Sequence, residues 1–471
     1  MLDWNKLLCS DRRKSIYESP ESMGTGIGRT ELERDYDRIL FSTPLRRLAD
    51  KTQVFPLEEN NSIRNRLTHS HEVSNLARSI GVKLAFDFPE KVFGNKHECL
   101  NVKRNVPSLL AAVGLAHDLG NPPFGHQGEV AIQEWFKEYQ KRKRRKLRRQ
   151  DDIRAEELNM KADFLKFDGN AQTLRLLTRL QVLNDDYGLN LTLATLASLI
   201  KYPVIYGGTN KLGFKKCGIF ESERDIVSDV WKYTGLKEGV RHPFVYIMEA
   251  CDDIAYSIID AEDTVKKGYA SFYDLMDYLE SNSHDDPIVK EVITKSRSKN
   301  KEFKNENLSS KELNDISMQM FRVKAISMMI ESATNTFVNN VNHLLSGEVE
   351  SGFELIKESE CNRLCTLSKK FDLEYGFKNR EVLELELKGN NYIKNTMSMF
   401  WKAISSQNGS ETPFSRYAYG EISENYRRVY EKSYKGDYEK FQLLSDVVSG
   451  MTDNHLIKVH NDLKGLENSY E

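Results

Sequence analysis

The sequence predicts an all-α protein, and three observations carry that reading. Apolar residues recur at three- and four-residue spacing through several long windows, strand-like alternation is scarce, and glycine and proline fall between the periodic windows. Val73, Leu76, Ala77, Ile80 and Leu84 mark one amphipathic helix. Leu109, Leu110, Val113 and Ala116 mark a second, which ends near Gly120 and the Pro122–Pro123 pair. A third opens around His126–Gly128 and runs through Ile132 and Phe136, and a fourth covers roughly Pro243 to Lys266. Further helices follow, up to about 437–464, with at most a short β-hairpin near Gly207–Phe220, where glycines and flanking aromatics suggest a turn.

Composition narrows the function classes. An apolar share of 39% and a charged share of 29% are ordinary for a soluble globular chain. Lys+Arg at 68 against Asp+Glu at 70 leaves a net charge of −2, so any affinity for polyanions must come from a local cluster. The first residues lack the apolar core of a signal peptide, and no stretch approaches the length of a membrane span. The six cysteines are scattered and form no CxxC pair, which argues against a disulfide framework or a zinc knuckle. A cytoplasmic protein without membrane partners is expected.

Two stretches lack apolar periodicity. Residues 139–162 contain a basic run from Lys141 to Arg149, and residues 294–313 read as a solvated linker or exposed helix. The second suggests a division into an N-terminal segment (1–60), a site-bearing core (61–290) and a C-terminal helical region (314–471).

Histidines and aspartates on apolar helix faces supply the chemistry. His69 lies on the stripe of Val73, Leu76 and Ile80, whereas His71, about 200° around the helix, faces away. His117 and Asp118 close a nearly all-apolar helix, where a carboxylate is costly unless paired or metal-bound. Asp252 sits in the apolar run YIMEACDDIAYSIID. Two imidazoles and two carboxylates from three helices make a mixed N/O set that suits Mg²⁺, Mn²⁺ or another first-row ion with open positions. It lacks the thiolates of a structural zinc site. His126 and Glu129, three apart in a first helical turn, are spaced to touch. A carboxylate on an imidazole fixes its tautomer and raises its basicity, although Glu129 also suits a helix start on dipole grounds.

The run Arg66-Leu-Thr-His69-Ser, followed by Ala116-His117-Asp118-Leu-Gly-Asn-Pro-Pro-Phe-Gly-His126-Gln-Gly-Glu129, resembles the HD-domain dGTP triphosphohydrolase family. Lys51-Thr-Gln-Val-Phe-Pro56, Glu249-Ala-Cys-Asp252-Asp-Ile-Ala-Tyr256 and Ser449-Gly-Met-Thr-Asp453 extend the resemblance over almost the whole chain. It implies an HD-domain helical metallohydrolase fold with additional C-terminal helices. It also implies hydrolysis of dGTP, or a related dNTP, to a deoxynucleoside and inorganic triphosphate. The implied metal ligands are His69, His117, Asp118 and Asp252, with Asp253 the alternative for the last. Regular helical spacing favours Asp252, because Asp252, Tyr256 and Asp260 then form one stripe. His126 and Glu129 become the acid/base pair. Arg66 is placed for a bidentate grip on phosphate, and Lys216 is assigned to the outer phosphates. Tyr256 and Asp260 are assigned to triphosphate or sugar, and Gln53 and Val54 to the base and sugar pocket. A homo-oligomer, hexameric or smaller, and regulation by single-stranded DNA belong to the same set of expectations.

Other signals are discounted. Gly24 to Thr30 resembles a phosphate loop but lacks GxxxxGK[ST] and a preceding strand. The basic run lacks interleaved aromatics for base stacking. A different HD phosphohydrolase, such as a nucleoside monophosphatase or a cyclic-nucleotide phosphodiesterase, would share the four ligands without needing the His126–Glu129 segment. A non-catalytic nucleotide or nucleic-acid sensor predicts a lost ligand, and every position is filled.

Overall fold

The computed structural model describes residues 1–18, 28–58, 60–149, 161–181, 185–206, 213–406 and 412–468. The described residues fold into helices joined by turns, and β pairing among them is confined to isolated bridges: Arg12 with Thr192, Thr52 with Asn65, and Ile205 with Ile219. The expected hairpin therefore reduces to one parallel bridge at its base, and residues 207–212 of that stretch lie outside the described residues. So do residues 24–27 of the glycine-rich stretch and residues 150–160, the tail of the charged stretch.

In chain order the elements that build and frame the site are α1 (Glu31–Leu40), α2 (Arg66–Phe86), α3 (Val102–Ala116), α4 (Gly125–Arg148) and α5 (Gly169–Arg175). They are followed by α6 (Pro243–Ile254), α7 (Asp260–Lys266), α8 (Pro287–Phe303) and α9 (Ser310–Ser346). The last group is α10 (Asn362–Phe371), α11 (Arg380–Ser405), α12 (Asp437–Ser449) and α13 (Asp453–Asn468).

The starts of these helices follow local rules. Asn65 caps α2 by accepting from the amide of Thr68, whose hydroxyl accepts from the Asn65 amide in return. His242 caps α6 through Nδ1, which accepts from the Phe244 amide at 3.1 Å, and Pro243 occupies the first helical position. The basic run does not end α4, which continues as helix to Arg148 with its cations largely turned to solvent. Residues 287–303, which include the first half of the apparently solvated stretch, form α8, packed against α9.

Packing is densest between α2 and α3. Gly114 lets their backbones meet, because a Cβ there would lie 2.8 Å from Ser74 Cα. Val73, Ile80 and Leu84 of α2 and Leu109, Leu110 and Val113 of α3 are fully buried around that crossing. Each such side chain contributes about 1.5–3 kcal/mol relative to exposure. The same apolar cluster runs from Trp4 to Leu463, so the C-terminal helices share it. A smaller cluster of Phe55, Ile63 and Val382 closes a corner beside the 51–56 segment. No helix among the described residues is long and apolar enough to cross a membrane.

Candidate functional site

Three elements bring His69, His117 and Asp252 together. His69 lies one turn into α2, His117 follows the end of α3, and Asp252 sits near the end of α6. One ligand atom from each lies within 4.8 Å of the others. Asp252 Oδ1 is 3.2 Å from His69 Nε2 and 3.6 Å from His117 Nε2. His117 Nδ1 is 2.7 Å from the carbonyl oxygen of Gly114. A carbonyl only accepts, so Nδ1 carries a hydrogen, and in the neutral ring the lone pair of Nε2 faces the cluster. Nε2 is buried and has no hydrogen-bond partner. Buried polar atoms in proteins are almost always satisfied, and two imidazoles with a carboxylate fit a divalent cation at this point.

Asp118 stands beside this trio but is turned aside. Its Oδ2 is paired with the Arg66 guanidinium, and its Oδ1 accepts from Asn121 Nδ2 at 2.8 Å. The same Oδ1 lies 3.6 Å from His117 Nε2, so the carboxylate remains within reach of the cluster. Asp253, the sequence alternative to Asp252, points elsewhere and pairs with Lys369 at 2.5 Å. The electrostatics agree with a cation-seeking centre. Burial disfavours a charged His117, but Asp118 and Asp252 outweigh it and raise its pKa to about 9. Burial likewise raises the Asp252 carboxyl, yet the two imidazoles beside it, His117 and His69, pull it well below the usual range.

The His126–Glu129 pair forms as spaced. The His126 ring is exposed, with Nδ1 3.1 Å from Glu129 Oε2, while Glu129 is buried. That hydrogen bond is the main reason the imidazole is raised above its ordinary pKa. Glu129 is itself fixed from behind, since Oε1 accepts from the Gly169 amide at 2.6 Å. Lys216 completes the group, with Nζ 2.7 Å from Asp168 Oδ2 and 3.9 Å from Glu129 Oε2. Burial would lower the lysine's pKa, but those two carboxylates raise it.

Arg66, at the start of α2, is engaged by the protein: Nε donates to the Thr52 carbonyl at 3.1 Å, and its other arm meets Asp118. Gln53 is partly buried, with an amide oxygen that finds no partner. Val54 packs against the Phe55–Ile63–Val382 cluster. The stripe expected of Asp252, Tyr256 and Asp260 is interrupted, because residues Ala255–Ile259 form a π turn between α6 and α7. Tyr256 is half-buried with its ring 5.8 Å from that of Phe377. Asp260 is wholly buried, and neither of its oxygens has a hydrogen-bond partner. Burial, with Asp263 nearby, raises its pKa well above the carboxylate range.

Sequence reasoning missed Asp168 and Asn121. Asp168 followed by Gly169 reads as a helix cap, and it is one: Oδ1 accepts from the Asn170 amide at 2.9 Å. Its other oxygen holds Lys216, a contact that spans 48 residues of chain and leaves no local pattern.

A family profile described as HD domain matches residues 66–162. A deoxyguanosinetriphosphate triphosphohydrolase-like protein of Listeria monocytogenes is 33% identical over 99% of this chain and 100% of its own length. A protein of the same description from Pseudomonas aeruginosa is 30% identical over 98% of this chain and 99% of its own. A deoxyguanosinetriphosphate triphosphohydrolase of Klebsiella pneumoniae is 28% identical over 92% of this chain and 94% of its own.

Proposed function

Because the chain belongs to the deoxyguanosinetriphosphate triphosphohydrolase-like family of HD-domain proteins, we propose that it hydrolyses dGTP, or a related dNTP, to a deoxynucleoside and inorganic triphosphate. What supports this reading is the cluster of His69, His117 and half-buried Asp252, together with an exposed His126 that Glu129 backs and that lies within the charge influence of Asp118 and Arg66.

His69, His117 and Asp252, with Asp118 as the fourth ligand, would hold a divalent cation, which would supply Lewis acidity toward a phosphoryl oxygen and toward water. The remaining work belongs to side chains. His126, with Nδ1–H committed to Glu129, presents a bare Nε2 that takes a proton from the attacking water. Attack at the α-phosphorus breaks its bond to the 5′-oxygen, which takes the proton from His126 and leaves as the nucleoside hydroxyl, and the three phosphates leave together. Lys216 exchanges Asp168 for the outer phosphates, and Arg66 neutralises the α-phosphate side. Gln53 and Val54 line the base and sugar pocket, with the unpartnered Gln53 amide oxygen offered to the nucleoside, and Tyr256 and Asp260 contact triphosphate or sugar.

Homo-oligomer formation and a response to single-stranded DNA are part of the same proposal. Exposed Lys141, Arg142, Arg145 and Lys146 on α4 are the surface for the second.

The test is to incubate the protein with each dNTP and with GTP, in Mg²⁺ or Mn²⁺, and to resolve the products by chromatography. Deoxyguanosine and triphosphate from dGTP support the proposal, whereas inorganic phosphate as product points to a different HD phosphohydrolase. No nucleoside from any of these substrates, alone or mixed, sinks it.

A further inference from the structure

Asp453 opens the last helix, α13, far in sequence from every residue assigned above, yet it is 3% exposed. Its carboxylate is divided between two segments of the site. Oδ2 accepts from the Thr52 amide at 2.9 Å and from the Thr52 hydroxyl, while Oδ1 accepts from the Phe124 amide at 3.1 Å. Thr52 precedes Gln53 and Val54. Phe124 holds a left-handed φ of 59°, followed by Gly125 at 55°, and this pair of residues turns the chain into His126. A left-handed phenylalanine is unfavourable by itself and persists only where its surroundings fix it.

The two segments are also joined from the other side. Arg66 bridges the Thr52 carbonyl to Asp118. The buried ammonium of Lys51 donates to the carbonyls of Asn121, at 2.6 Å, and Ser449, at 2.8 Å. A closed circuit results, running from Asp118 through Arg66, Thr52 and Asp453 to Phe124.

We infer that Asp453 is a positioning residue: one carboxylate from the last helix sets the Gln53–Val54 segment and the His126 turn in register with each other. The inference rests on the proposed function for its kinetic consequence but not for the clamp itself. A carboxylate can accept on both oxygens, whereas an amide has one accepting oxygen and one donating nitrogen. Asp453→Asn therefore keeps one grip and sets N–H against N–H at the other.

The experiment uses the full chain and three variants, with hydrogen exchange and steady-state kinetics measured on each. Asp453→Asn should speed amide exchange in peptides covering 51–56 and 121–128. It should lower kcat for dGTP by about 100-fold, the scale of a small misplacement of reacting groups, with bound metal unchanged. Thr52→Val loses only the hydroxyl contact and should raise KM while sparing kcat, and Thr52→Ser should behave as the parent. Arg47→Met is the control for a purely structural effect. Arg47 binds Tyr426 and the Gly450 carbonyl at the same junction, so its loss should lower the melting temperature without changing kcat or exchange at 121–128. Unchanged exchange at both segments in Asp453→Asn would overturn the inference, whatever substrate the protein turns over. So would equal kinetic losses in Asp453→Asn and Arg47→Met at matched stability. If the parent hydrolyses none of the nucleotides, the functional proposal fails, and the exchange data alone decide the clamp.

Discussion

The hydroxyl of Ser74 on α2 donates to the carbonyl of Ala111 on α3 at 2.8 Å, which locks the two helices together where Gly114 already lets their backbones touch. His69 and His117 project from these helices, so their spacing is set by this crossing. Gly114→Ala must push α2 and α3 apart, at about 1–3 kcal/mol of overpacking. The expected outcome is a lower denaturant midpoint together with weaker Mn²⁺ binding by titration calorimetry. A variant that is destabilised but binds Mn²⁺ as tightly as the parent would separate the crossing from the metal centre.

Direct loss of a ligand should be more severe. His117→Ala and Asp252→Ala are each expected to lose stoichiometric metal, measured by elemental analysis after desalting, and to be inactive. Asp253→Ala, whose carboxylate faces Lys369, should retain its metal. Metal loss from Asp253→Ala with retention in Asp252→Ala would reverse the assignment.

The dyad makes a prediction in pH. Glu129 raises the pKa of His126, and a base must be neutral to accept a proton, so activity should climb with pH as the imidazole deprotonates. Glu129→Gln removes the cause of the elevation and should move that acid limb to lower pH while reducing kcat by about 100-fold or more. His126→Ala should bind metal normally and lose the limb altogether. An unchanged rate in His126→Ala would end its proton-transfer assignment.

Buried Lys51 couples stability to pH. Burial lowers its pKa from 10.5 to about 7, so between those values the unfolded chain binds more protons at this site than the folded one. Its contribution to stability is therefore smallest below pH 7 and grows as pH rises toward 10.5, with a limiting slope of about 1.4 kcal/mol per pH unit. Urea midpoints measured from pH 7 to 9.5 should rise less steeply in Lys51→Met than in the parent. Parallel curves would mean that the ammonium is not discharged on folding.

Lys216 and Asp168 form the last testable pair. Lys216→Ala should raise KM for dGTP far more than it lowers kcat. Asp168→Asn frees the ammonium from its partner and should lower KM. A rise in KM for Asp168→Asn would show instead that the aspartate holds the lysine in its working position.

How much of this was legible in the sequence divides along physical lines. Local periodicity identified the helices carrying His69, His117 and Asp252, because a polar residue on an apolar stripe is visible within one turn. The His126–Glu129 contact was legible for the same reason, being three residues long. The bounds of the fourth helix were also legible, but its π turn was not, since a π turn is selected by packing and leaves the apolar pattern of residues 243–266 intact. Helix propagation through the basic run was hidden by charge, which removes periodicity without removing helix propensity. Asp168 and Asp453 act across long stretches of chain. Their local signals are those of caps and turns, and only the folded molecule shows what else they hold.

Gly389 on α11 faces the strained turn, where a Cβ would lie 2.5 Å from the ring of Phe124. These two positions, 265 residues apart, occupy one volume between them and cannot vary independently. A methyl at 389 requires a smaller residue at 124, and a smaller residue at 124 leaves a void unless 389 grows. Evolution of the turn that delivers His126 must therefore pass through paired changes, so position 124 is expected to covary with a site on α11 rather than with its own neighbours in sequence.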